Sequence, residues 1–168
     1  MPTVSNEMLL SHLDAAYNLA RWLLGNRADA EDVVQDAYVR ALASADQFRG
    51  GDQRAWLLSI VRNGCYSSRR RQRVRQASEF DETVHRSGTD IPSPEERAID
   101  RDTSRRVRLA VERLTPDFRE VIVLREFEGL SYKAIAEVVA APVGTVMSRL
   151  SRARAQLQAA LAEEGGRP

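Results

Sequence analysis

Pro142 restricts the fold of this chain more than any other residue. It interrupts the apolar stretch 130–157, LSYKAIAEVVAAPVGTVMSRLSRARAQL. Proline has no backbone N–H and pushes the residue before it, here Ala141, out of the α region, so a helix arriving from the N-terminal side must end there. Before the break, Ile135, Ala136 and Val139 share one helical face, and Ser131 is placed to cap the first turn through its hydroxyl oxygen. After it, Val146, Leu150, Ala153 and Leu157 repeat at helical spacing, while Met147, Ser148, Ser151, Arg152 and Arg154 point elsewhere. A short helix, a tight break and a second helix with an apolar back and an arginine-bearing front describe a helix-turn-helix. Such a unit sets its second helix in the major groove of DNA. A two-helix corner of any all-α domain shows the same apolar spacing, so the pattern alone leaves both readings open.

The rest of the composition narrows the function. Hydrophobic residues make up 43% of the 168 residues, enough for a core, yet the net charge is only +1. A protein that gripped DNA phosphates unaided would be more basic. Either DNA is not the ligand or a partner shares the binding. Cys65 is the only cysteine, and His12 and His85 lie far apart, so neither a disulfide framework nor a Cys/His metal site is expected, and no cofactor is. The chain has no glycine-rich phosphate loop, no Ser/His/Asp or Cys/His set and no Glu-x-x-His pair; it does not read as an enzyme. No basic-then-apolar leader and no apolar run near 18 residues is present, so no membrane insertion is expected and a cytoplasmic location is.

Along the chain, residues 6–24 carry a helical stripe of Met8, Leu9, Leu13, Ala16, Tyr17, Ala20 and Leu24, ended by Gly25-Asn26. Asp29 then caps a second helix, about 29–45, with Val33, Val34, Ala37, Tyr38, Ala41 and Leu42 on its buried side. Glu31, Asp32, Gln35 and Asp36 crowd its opening turns. Carboxylates there favour the helix dipole by ~0.3–1 kcal/mol each, but they would equally form an acidic docking face for a basic partner. Phe48–Asp52 is a turn broken by two glycines. A third helix, near 53–75, buries Trp56, Leu57, Ile60 and Val61 and ends in Arg69-Arg70-Arg71-Gln72-Arg73-Val74-Arg75. Five arginines in seven residues exceed what a solvated face needs and suit phosphates.

Residues 76–93 lose all periodicity and read as an acidic linker. Ser93-Pro94-Glu95-Glu96 starts the next helix with a capping box and runs to about Leu114, with Ile99, Val107, Ala110 and Val111 inward. Thr115-Pro116 repeats the device for a helix carrying Phe118, Val121, Ile122, Leu124 and Phe127, which Gly129 ends. No strands are evident. The expected fold is all-α: a first domain at 1–75, the linker at 76–93 and a second domain at 94–168 holding the helix-turn-helix.

These residues resemble a known family in two blocks. Asp29-Ala30-Glu31-Asp32-Val33-Val34-Gln35-Asp36, Phe48-Arg49-Gly50, Trp56-Leu57 and Ile60-Val61-Arg62-Asn63 are similar to region 2 of the extracytoplasmic-function (ECF) sigma factors of bacterial RNA polymerase. Leu114-Thr115-Pro116, Arg119-Glu120-Val121, Leu130-Ser131-Tyr132, Ile135-Ala136, Pro142-Val143-Gly144-Thr145-Val146 and Ser148-Arg149 are similar to their region 4. The resemblance implies a promoter-specificity subunit that binds core RNA polymerase and promoter DNA, with an anti-sigma factor as a further partner. Region 4 would read the −35 element as duplex through Thr145, Met147, Ser148, Ser151 and Arg152, with Lys133 and Arg149 near phosphates. Region 2 would hold the −10 element as single strand through Phe48, Arg49, Gly50, Asp52, Arg62, Asn63, Arg69 and Arg70. Asp32, Gln35, Asp36 and Arg40 would meet the polymerase.

Two positions depart from the family pattern. Many members carry a basic residue where Met147 stands; methionine forgoes the bidentate contact to guanine, worth ~1–3 kcal/mol of discrimination, and offers only apolar contact. The turn glycine of many helix-turn-helices is Ala140 or Ala141 here, and a left-handed alanine would carry roughly 1–2 kcal/mol of strain. The linker reaches far enough for the role. Its 18 residues span at most ~60 Å at ~3.3 Å each, against ~55 Å for a spacer of roughly 16–17 base pairs. Residues 76–102 carry eight carboxylates against three arginines, net −5. A stand-alone helix-turn-helix regulator is the alternative. It would need a dimer seam to read two half-sites, and residues 1–75 show none.

Overall fold

Every regular element among the described residues is helical. The computed structural model describes residues 4–78 and 102–165, and the chain divides into two compact units. The linker beyond residue 78, the capping box Ser93–Glu96 and Ile99 lie outside the described residues.

In the first unit, α1 (Asn6–Ser11), α2 (Leu13–Leu24), α3 (Arg27–Ala43) and α4 (Gln53–Ser78) are joined by tight turns, with a 3-10 turn at Ala45–Gln47. α2, α3 and α4 each pack on the other two, and α1 lies against α2. The expected single helix over 6–24 is two. Ser5 caps α1 by accepting from the Met8 N–H at 3.2 Å, and the chain leaves helical geometry at His12 (φ −105°, ψ 9°). That one-residue break resets the phase of the stripe. Ala15, Ala16, Leu19, Ala20 and Leu23 are buried, whereas Leu13 is exposed and Leu24 half-buried. Burial also pushes the His12 imidazole pKa below its usual value, with Arg54 adding to the effect and Asp52 opposing it.

α3 starts earlier than expected, and its cap is not Asp29. Asn26 accepts from the Asp29 N–H at 2.8 Å, immediately after the left-handed Gly25 (φ 81°) closes α2. The Asp29 carboxylate instead accepts from Asn26 Nδ2 at 2.7 Å and from Gln72 Nε2 at 2.8 Å, tying the start of α3 to α4. Leu42, expected inside, is half exposed. α3 and α4 approach closely where Gly64 faces Val33: a Cβ on Gly64 would lie 3.1 Å from Val33 Cγ1. Around the other end of α4, Val4, Leu9, Ala41, Phe48 and Leu57 close a second cluster, against which Met8, Tyr38, Trp56 and Ile60 pack. Tyr38 donates its hydroxyl to the Leu9 carbonyl at 2.6 Å, fixing α1 to α3; burial and the neighbouring Asp14 push that phenol up to about 12.

The second unit holds α5 (Asp102–Glu112), α6 (Pro116–Ile122), α7 (Tyr132–Val139) and α8 (Val143–Gly165). α8 is its spine, packing against α5 and α6 through the fully buried Val146, Leu150 and Ala153. Pro116 stands in the first turn of α6 as expected, but Thr115 contributes no side-chain cap. The junction is held instead by Arg119. Its guanidinium donates to the carbonyls of Val111, Glu112 and Leu114 at 3.3, 2.6 and 2.7 Å, tying α6 to the carbonyl end of α5.

α6 continues into a π-helical turn, Val123–Phe127. The wider turn advances the chain by one residue. It therefore rotates Phe127, expected in the core, out to 46% exposure, while Val121 to Leu124 stay buried. Gly129 (φ 67°) ends this segment.

Ser131 caps α7 as expected, accepting from the Ala134 N–H at 3.1 Å. α7 and α8 then meet at 100°. Ala140 adopts a left-handed conformation (φ 53°), and the Ala141 N–H reaches back to the Ala136 carbonyl at 3.1 Å. This is a Schellman closure with alanine where glycine is the usual residue. Ala140→Gly is expected to stabilise the second unit by about 1 kcal/mol, the relieved strain less glycine's extra unfolded-state entropy. Thermal unfolding should show a rise of a few degrees; a fall would mean that the strain is absent.

Candidate nucleic-acid interface

In the second unit α8 presents an exposed polar face. Burial of Val146, Leu150 and Ala153 leaves Met147, Ser148, Ser151 and Arg152 exposed on the opposite side, with Thr145 and Arg149 half-buried at its edges and Lys133 exposed on α7. The face is mixed in character: hydroxyls, a thioether and cations, with no carboxylate among those seven residues. Beside it runs an open groove lined by Tyr132, Met147, Ser151, Arg154, Ala155 and Gln158.

The supports of that face include Glu126 and Arg125, which sequence reasoning did not single out. Arg154 donates to Glu126 Oε1 through Nε at 3.0 Å and Nη2 at 2.7 Å. Glu126 lies in the π-helical turn, so this pair fastens α8 to the segment before α7. Arg125, from the same turn, donates to the Leu130 carbonyl at 2.8 Å and lies 4.7 Å over the Tyr132 ring, orienting the start of α7. Only a register shift at the π turn brings these neighbours into place, and periodicity does not reveal such a shift. Glu120 is also missed: it is wholly enclosed at the heart of this unit.

In the first unit the turn 48–52 contains two consecutive left-handed glycines, Gly50 (φ 95°) and Gly51 (φ 101°). Phe48 does not project from it. The ring is 8% exposed and packs on Trp56, with centroids 5.3 Å apart. Asp52 starts α4 by accepting from the Ala55 N–H at 3.0 Å. Arg49, Gly50, Asp52 and Asn63 are exposed, and Arg62 stacks over the Tyr66 ring at 4.4 Å. Arg69 is half-buried and reaches the Leu23 carbonyl at 3.5 Å, whereas Arg70 is exposed and donates to Ser67 Oγ at 3.3 Å. The arginine cluster therefore divides: Arg69 braces the end of α2, while Arg70, Arg71, Arg73 and Arg75 face solvent.

Asp32, Gln35, Asp36 and Arg40 are all exposed along α3. At 100° per residue they lie within one side of the helix. Gln35 borders a groove with Leu13, Asp14, Tyr17 and Tyr38, and Asp36 and Arg40 border a cleft with Ser67 and Arg71. The helix-dipole account fits Asp29, in the first turn. It does not fit Asp32 and Asp36, since the effect fades beyond that turn. Among the described residues, no group of three His, Cys, Asp or Glu side chains is placed to hold a metal ion, and no single helix is long and apolar enough to cross a membrane.

Comparison with known proteins places both units. Residues 8–75 match the family model of sigma-70 region 2, and residues 104–157 match that of sigma-70 region 4. The chain is 35% identical over 159 residues to the ECF RNA polymerase sigma factor SigE of Mycolicibacterium smegmatis, a match covering 94% of this chain and 62% of that protein. It is 37% identical over 142 residues to the RNA polymerase sigma-H factor of Pseudomonas aeruginosa, covering 79% and 73%. The chain thus spans less than two thirds of the first of these relatives and nearly three quarters of the second. Among solved structures it is similar to the sigma factor RpoE of Bartonella quintana, determined with the anti-sigma factor NepR: TM-score 0.70, 34% identity, 93% of this chain and 95% of that one. It is also similar to CnrH, determined with the cytosolic domain of CnrY: TM-score 0.66, 27% identity, 94% and 86%.

Proposed function

The chain belongs to the ECF sigma factors, and from that premise we propose that it is a promoter-specificity subunit: it binds core RNA polymerase, recognises −35 and −10 promoter elements and starts transcription of a specific set of genes. The observation that carries this reading is the coexistence of two units, each matching a different promoter-binding region of the family, in a chain too weakly charged to hold DNA alone. A stand-alone regulator has no use for a region-2 unit, so the alternative falls away.

In this proposal the exposed face of α8 enters the major groove at the −35 element. Met147, Ser148, Ser151 and Arg152 meet base edges, with Thr145 at their margin. Arg149 and Lys133 meet phosphates. Phosphate contacts set register and base contacts set sequence. In the first unit Arg49, Gly50, Asp52, Arg62, Asn63 and Arg70 hold the −10 strand. Phe48 and Arg69 shape that surface from inside rather than touching bases. Asp32, Gln35, Asp36 and Arg40 present the polymerase-binding side of α3. The chain acts in the cytoplasm, where its polymerase is. An anti-sigma factor is proposed as its antagonist, by analogy with the partners present in the RpoE and CnrH structures.

The test is a promoter-binding assay with and without core polymerase. The chain alone should bind promoter duplex weakly, and the holoenzyme tightly. Arg152→Ala should lower promoter affinity about tenfold, through loss of ~1–3 kcal/mol at one −35 base, and leave core binding unchanged. Equal promoter binding with and without core polymerase would contradict the reading.

A further inference from the structure

We propose that Met147 reads the 5-methyl group of a thymine, so that one position of the −35 element is recognised by an apolar contact and not by a hydrogen bond. The proposal rests on α8 being the −35 reading helix.

Met147 is 52% exposed on the flank of the α8 face that borders the groove, and Ser151 stands one turn further along. A thioether has no hydrogen to donate and accepts weakly, so it cannot satisfy the acceptors of guanine or the donor of cytosine. Among the groups that base pairs display in the major groove, the thymine C5-methyl is the apolar one.

The cation that lines this patch is already paired. Arg154 lines the same groove, and a guanidinium free to swing there would reach for guanine O6 and N7. It is instead committed to Glu126, with both of its contacts on one carboxylate oxygen at 3.0 and 2.7 Å. Hydrogen bonds to Glu126 and Tyr132 hold its protonated form more firmly than usual. Tyr132, itself under Arg125, supplies a fixed wall. The groove therefore offers a methyl group a lining of thioether, ring and hydroxyl, beside a guanidinium already paired with a carboxylate.

Replacing thymine by deoxyuridine removes that methyl and leaves every hydrogen-bonding group in place, which makes it the direct test. Holoenzyme reconstituted from core polymerase and the full chain would first select its promoters in vitro. Each −35 thymine of a selected promoter is then replaced singly by deoxyuridine. One position should lose affinity roughly fourfold, the size expected for one buried methyl. In Met147→Ala holoenzyme the same replacement should be neutral, whereas Met147→Leu should retain most of the sensitivity. No sensitive position, or sensitivity undiminished in Met147→Ala, overturns the proposal. A scrambled −35 element separates the two levels. If scrambling abolishes binding while deoxyuridine is silent, only the methyl reading fails. If scrambling has no effect, the assignment of α8 fails as well.

Discussion

Phe48→Ala will destabilise the first unit by about 3–4 kcal/mol, as deletion of a buried aromatic does. The ring is 8% exposed, packs at a tilt on Trp56 and shares a cluster with Val4, Leu9, Ala41 and Leu57. For a unit of this size, each 1 kcal/mol moves the midpoint by about 4–8 °C, so a fall of about 12 °C or more is expected in thermal unfolding. Arg49→Ala, one residue away and exposed, should stay within about 0.5 kcal/mol of wild type. The pair separates two meanings of one turn. If Phe48 served mainly by touching a −10 base, its loss would impair promoter melting at near-normal stability. The packing predicts instead that stability is lost first, and promoter melting with it.

Charge reversal at Asp32 and Asp36 gives the second large effect, in binding and not in folding. Both are exposed and lie beyond the first turn of α3, so the helix needs neither for its dipole. Asp32→Arg with Asp36→Arg should leave the thermal midpoint within a few degrees. It also places a cation four residues before Arg40, a cost of only a few tenths of a kcal/mol. Against a basic partner, the same change turns attraction into repulsion of several kcal/mol. Affinity for core polymerase should fall about a hundredfold, which is about 2.7 kcal/mol. Titration of labelled core polymerase reads this directly. Unchanged affinity would remove α3 from the docking assignment.

The sequence made most of the architecture legible because its signals were local. Ser131 and Pro142 mark the helix-turn-helix through chemistry confined to one turn, and the stripe Val146, Leu150, Ala153 sits in one helix with no break inside it. The misses have a common origin in register. His12 resets the phase between α1 and α2 without any glycine or proline to announce it, so Leu13 and Leu24 left the core and Ala15, Leu19 and Leu23 entered it. The π turn does the same to Phe127. Asn26 outcompeted Asp29 as a cap because a long-range partner, Gln72, holds the Asp29 carboxylate elsewhere. The arginine run likewise suggested a surface role for Arg69, and the family resemblance implied one for Phe48. Only tertiary packing showed Arg69 bracing α2 and Phe48 closing a core. The candidate interface was thus readable where side chains point away from a well-phased helix. It was not readable where distant residues supply the support, as Glu126 and Arg125 do for α8 and α7.

The most direct measurement is transcription in vitro from genomic DNA by core RNA polymerase, with and without this chain, with start sites mapped by sequencing the transcripts. The chain should create a small set of new start sites that share two separated sequence elements, absent with core alone. An unchanged set of start sites, with no association between chain and core polymerase, would contradict the account.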